Sequence, residues 1–207
     1  MSLISQKTDF SFWSLVLTNL LTMAMAVRFN WSLLELMWIY LLQSITIGVF
    51  NYIKMVQVAA SADNPGMFPT IFGGRGQDAN FFAMHYGFFH LLYILFLLAF
   101  TLAPDSPLAG PTPIYWPSVF GTALMFIANH AFSYFYNRPK DAPKWTSERL
   151  MFFPYARIFP MHLTLILGGL ANVFFPFSPL AGAYFPIILF MVLKTGADAI
   201  MHLIEHR

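Results

Sequence analysis

Lys194, Asp198, His202 and His206 recur every four residues near the end of the chain, with Glu205 between the last two. At helical periodicity they share one stripe about 120° wide. An ammonium, a carboxylate and imidazoles on one stripe can pass protons, hold a cation or stabilise developing charge. Earlier apolar stretches add His85 and His90, then His130 beside Asn129, then His162. The chain has no cysteine, so a metal centre here would take nitrogen and oxygen ligands, as Zn or Fe do. The expected ligand set is His90, His130, His162 and Asp198, with His85 and His202 next. In such a centre the metal would activate water or oxygen. Asp198 or Glu205 would serve as base, and Lys194 would stabilise negative charge. Haem b, held by two axial histidines from different helices, is the competing cofactor. The plain alternative is structural, with Lys194 paired to Asp198 one turn away. His202-x-x-Glu205-His206 matches a zinc-binding spacing in letters only, because it sits at the chain end.

The elements that must position these groups are apolar. The chain has 207 residues, 58% hydrophobic and 10% charged, with 24 Phe. Soluble domains average about 25% charged residues, so the composition predicts an all-α polytopic membrane bundle in a single domain over residues 1–207. Spans of about 20 apolar residues fit at 11–29, 32–58, 81–103, 116–137, 153–175 and 183–205. A tight turn at Asn30–Trp31 joins the first two. A proline-rich stretch from Pro104 to Pro117 separates the third from the fourth. No cleavable signal peptide, internal repeat or soluble domain is expected, and the small net charge of +2 gives no reason to expect nucleic acid as a partner.

Six spans put both termini on one side. That side also receives Lys7, Lys54, Arg75, Arg138, Lys140, Lys144, Arg149, Arg157 and Arg207, against Arg28 opposite. The positive-inside rule makes the basic side cytoplasmic, so the protein is expected in the cell inner (cytoplasmic) membrane with both termini inside. Counting about 1.5 Å per residue from that side puts His130, His162 and Asp198 about 11–12 Å deep, His90 about 15 Å and Lys194 about 17 Å. The polar groups thus gather in the cytoplasmic half. Opposite them stand only Glu35 and, near mid-span, Gln43.

Arg157 and Lys54 are the first candidates to hold an anionic substrate, with Asn51 and Tyr155 beside them; Arg157 can equally snorkel to the interface. The segment Gly73–Gly74–Arg75–Gly76 follows no strand and is not a P-loop. Gly168–Gly169 allows close helix packing.

Several motifs together carry a resemblance. They are Asn51-x-x-Lys54, His85-Tyr86-Gly87-x-x-His90, Pro154-Tyr155-x-Arg157 with Met161-His162, and Leu193-Lys194-Thr195-x-x-Asp198-x-x-x-His202-x-x-Glu205-His206. Over about 45–206 the chain resembles an uncharacterised prokaryotic family of six-span integral membrane proteins, classed as a domain of unknown function. The resemblance implies six helices and a polar cluster from those positions, and no activity. His85 and His90 also resemble part of a rhomboid protease helix, but the Gly-x-Ser-Gly nucleophile motif is missing.

Three functions fit these residues. One is an intramembrane metalloenzyme, a hydrolase or oxidase acting on a lipid-like substrate. The second is a transporter of protons or metal ions, since His and Asp chains make relays. The third is a non-catalytic subunit of a larger membrane complex, or a homo-oligomer. In each the bilayer is the first partner.

Overall fold

The computed structural model describes residues 10–60, 77–103, 113–155, 158 and 179–205, with side chains in the last segment from 187 to 202. The elements among the described residues are helices, in the order α1 (Phe10–Arg28), α2 (Leu33–Ala60), α3 (Gln77–Leu102), α4 (Trp116–Asp141), a 3-10 turn (Ala142–Lys144), α5 (described over 147–155) and α6 (Pro179–Glu205).

The first turn forms for a local reason. Asn30 adopts φ 51°, in the left-handed region that Asn tolerates best among residues with a side chain. Trp31 N then donates to Ala26 O at 2.9 Å and Asn30 N to Val27 O at 3.4 Å, closing α1 with a Schellman motif. Immediately afterwards Ser32 and Glu35 form a capping box. Ser32 N donates to Glu35 Oε2 at 2.8 Å, and Glu35 N to Ser32 Oγ at 3.1 Å. The other Glu35 oxygen accepts from Tyr115 N at 3.0 Å, which ties the start of α4 to the start of α2. Glu35, read from the sequence as a polar group in the half opposite the histidines, is therefore a cap.

Helix α2 is the centre of the bundle, packing on α3, α4 and α6, while α1 packs on α4 and α6. Leu33 to Leu41 is buried without a break, as expected of a helix surrounded by others. One apolar cluster joins Met37, Ile39 and Tyr40 to Leu97, Val119, Phe126 and Phe190. A second, at the other end, joins Met55 and Val58 to Phe82, Tyr86, Leu150 and Met151. Trp38 Nε1 donates to Thr101 Oγ1 at 3.0 Å and its ring meets Trp116 edge-on, pinning α2, α3 and α4 at one end.

The surface reverses the usual soluble pattern. Trp13, Leu17, Leu20 and Leu21 on α1, and Phe88, Leu91, Leu92 and Leu95 on α3, are exposed, while Asn19, Gln43, Lys194 and Asp198 are buried. Helices α1, α2 and α3 are long and apolar enough to cross a membrane, with mean hydropathy 1.6, 1.7 and 1.8. Helix α4 has the length, at 26 residues, but its second half carries Asn129, His130, Ser133, Asn137, Arg138 and Lys140. The six spans expected from the sequence thus reduce, among the described residues, to three that meet the composition of a span. Most of the 153–175 stretch lies outside the described residues, as does Gly168–Gly169.

Candidate functional site

Where α1, α2, α4 and α6 meet, three side chains converge on the Asp198 carboxylate. Lys194 Nζ lies 3.0 Å from Asp198 Oδ2, one turn along α6. Asn19 Nδ2 donates to the same oxygen at 3.3 Å and Gln43 Nε2 at 3.4 Å. Gln43 Nε2 also stands 3.4 Å from His130 Nε2, while Lys194 Nζ donates to Asn19 Oδ1. The ammonium lies over the Phe126 ring, 4.2 Å from its centroid. Asp198 is 1% exposed and Gln43 is fully buried, so the charges meet away from solvent. Burying an ion pair is tolerated only when its remaining lone pairs and protons are satisfied. Asn19 does this for both partners at once. Gln43 Oε1 has no hydrogen-bond partner among the described residues.

A cavity of about 60 Å³ leads toward this network from one end of the bundle. Lys54, Arg138, Asp141 and Trp145 line its outer part, and Asn129, His130 and His202 its inner part. Its volume suits about four waters and falls well short of a lipid-sized chamber. A smaller cavity of about 10 Å³ lies beyond the network, lined by Asn19, Thr22, Tyr40, Lys194 and Thr195 among others. His130 therefore borders one space and Lys194 the other, with Gln43 and Asp198 between them.

Among the described residues, His90 and His130 lie on different sides of α2. His90 Nδ1 donates to Tyr86 O at 2.8 Å, which leaves Nε2 as acceptor for Ser44 Oγ at 2.9 Å. Tyr86 OH in turn donates to Ser44 O at 3.0 Å. Nδ1 is thus engaged within α3 and Nε2 ties α3 to α2, on a different side of α2 from Gln43. His85 is exposed rather than inward. It stacks on Phe81, and its Nδ1 lies 2.6 Å from Tyr155 OH. His130 and His202 do share a cavity. Of the histidines expected as axial haem ligands, His130 borders this cavity and His90 does not. Among the described residues no three His, Asp or Glu side chains form a group that could hold a metal ion. His162, His206, Arg157 and the Glu205 side chain lie outside the described residues.

Of the expected substrate-binding residues, Lys54 and Asn51 line the larger cavity, and Tyr155 packs elsewhere against Phe82 and Tyr86. Asn51 Nδ2 is taken up by Leu150 O at 2.7 Å, so its main task is to hold the start of α5. Lys54 Nζ lies 5.5 Å from the Trp145 ring centroid, which keeps the ammonium at the rim. The sequence reading missed Asn19, Ser44 and Gly48. The signal for Asn19 was available, because Ser11, Thr18, Asn19 and Thr22 make a polar stripe on the otherwise apolar α1.

No curated protein and no solved structure matches this chain. The profile of one family, described as "Family of unknown function (DUF6498)", matches residues 1–207, and the chain belongs to that family.

Proposed function

We propose that this chain is an integral protein of the cytoplasmic membrane that transfers protons through the Lys194–Asp198 pair. The bilayer is its surrounding partner, and both termini and the larger cavity face the cytoplasm. The apolar exterior over a polar interior supports membrane insertion. The excess of Lys and Arg at the cavity end supports the orientation. The observation that carries the proton reading is the line His130–Gln43–Asp198–Lys194, which runs from the larger cavity to the smaller one.

In this reading His130 takes a proton from water in the larger cavity. The proton passes to Asp198 when the Gln43 amide gives way to a water, and the neutral acid loosens its hold on Lys194. Lys194 releases a proton toward the smaller cavity and is recharged from Asp198. Gln43 is the gate, since its amide stands between imidazole and carboxylate. A fixed ammonium beside the carboxylate also disfavours Na⁺ or metal cations as cargo.

The test uses full-length protein in liposomes containing a pH-sensitive dye, with a potential set by valinomycin and K⁺. Wild type should acidify or alkalinise the lumen according to the sign of the potential, and Asp198→Asn should not. Equal flux from wild type and empty liposomes would defeat the proposal.

A further inference from the structure

The outer part of the larger cavity carries more positive than negative side chains. Lys54 and Arg138 bring two positive charges against the single carboxylate of Asp141. Deeper in, Asn129 accepts from Ser14 Oγ at 2.5 Å through Oδ1, which leaves its Nδ2 to donate. Tyr134 OH accepts from Gln57 Nε2 at 2.7 Å and keeps its own proton to give. The Phe50 and Trp145 rings pack against Tyr134, with centroids 5.2 and 6.3 Å from its own. Trp145 also carries the Lys54 ammonium over its ring. Two cations, an amide and a phenol thus border one small space. Cationic heads and neutral donors together are what an oxyanion needs.

We infer that this cavity binds a small monovalent oxyanion, of the size of nitrate or acetate, between Lys54, Arg138, Asn129 and Tyr134. A volume of about 60 Å³ excludes sugars and nucleotides. With one anion bound, the charges of Lys54, Arg138 and Asp141 sum to zero. The imidazoles of His130 and His202 border the same space, and protonation of either strengthens anion binding. Lys194 and Asp198 lie deeper and form a neutral pair, so they leave that balance unchanged. The inference rests on the proposed function only for the side from which the anion arrives.

The experiment measures thermal unfolding of the detergent-purified full chain at constant ionic strength, with nitrate or acetate exchanged for the bulkier gluconate. The unfolding midpoint of wild type should rise in nitrate and in acetate. That rise should vanish in Lys54→Met/Arg138→Met and persist in Lys54→Arg, which keeps the charge. Asp198→Asn should keep the rise while losing proton flux, so failure of one proposal is separable from failure of the other. An equal midpoint in nitrate, acetate and gluconate would overturn the inference, as would an undiminished rise in the double variant.

Discussion

The ring of Tyr86 lies directly on the backbone of Gly48, so close that a β-carbon at position 48 would stand 2.5 Å from Tyr86 Cε1. This approach lets Tyr86 OH reach Ser44, one turn back along α2, and stacks the ring on His90 with centroids 4.1 Å apart. Gly48→Ala should therefore push the ring out and break the Ser44–Tyr86–His90 contacts together. Overpacking of this kind costs about 1–3 kcal/mol. A lowered unfolding midpoint in detergent, largely restored by adding Tyr86→Leu, is the expected outcome. An unchanged midpoint would mean that the two helices can part at no cost.

His90 tests the difference between a ligand and a fastener. With both ring nitrogens bound within α2 and α3, His90→Ala should lower stability and leave the metal content of purified protein unchanged, as measured by elemental mass spectrometry. His90→Gln, which can still meet Ser44, should recover part of the stability. A metal stoichiometry that falls in His90→Ala alone would return this residue to a metal centre.

The Lys194–Asp198 pair should behave as a coupled unit. Removing one partner of a buried pair strands the other charge and costs about 3–5 kcal/mol, whereas replacing both by apolar groups is often tolerated. Asp198→Leu and Lys194→Met should each be strongly destabilising, and the double variant closer to wild type. All three should lack proton flux. Additive losses in the thermal unfolding of the double variant would show that the charges do not need one another.

Gln43 gives the gating step its own test. Shortening it in Gln43→Ala opens room for a water between His130 and Asp198 and should raise proton flux in liposomes. Gln43→Met fills the same space without a hydrogen-bonding group and should lower it. The opposite order would place the resistance elsewhere.

Much of the helix layout was legible, because apolar run length and helix stops are local. Expected spans at 11–29, 32–58 and 81–103 correspond to α1 at 10–28, α2 at 33–60 and α3 at 77–102. The Asn30–Trp31 turn was readable from residue type alone. Helical periodicity also put Lys194, Asp198 and His202 on one stripe, and all three are buried. What counting along a helix cannot give is rotation relative to a neighbour. His90 and His130 were both assigned to the cytoplasmic half, yet one faces Ser44 and the other Gln43, successive residues about 100° apart on α2. Asn19 was missed for a related reason. A single amide gains meaning only when its partner, 179 residues away, is known.

The absence of cysteine makes the orientation and the one-sided cavity directly measurable, because any introduced thiol reports without background. Ser133 lines the larger cavity and Thr22 the smaller one, while Ala103 lies exposed just past the far end of α3. In sealed right-side-out vesicles a small charged maleimide should label Ala103→Cys and leave Ser133→Cys unmodified. In inverted vesicles the pattern should exchange. Thr22→Cys should stay unreactive in both, since a space of about 10 Å³ holds no more than a single water. Ser133→Cys labelling only in right-side-out vesicles would invert the proposed topology. Labelling of Thr22→Cys from the side opposite to Ser133→Cys would reveal a second open vestibule, with the Lys194–Asn19 contact as the partition between the two.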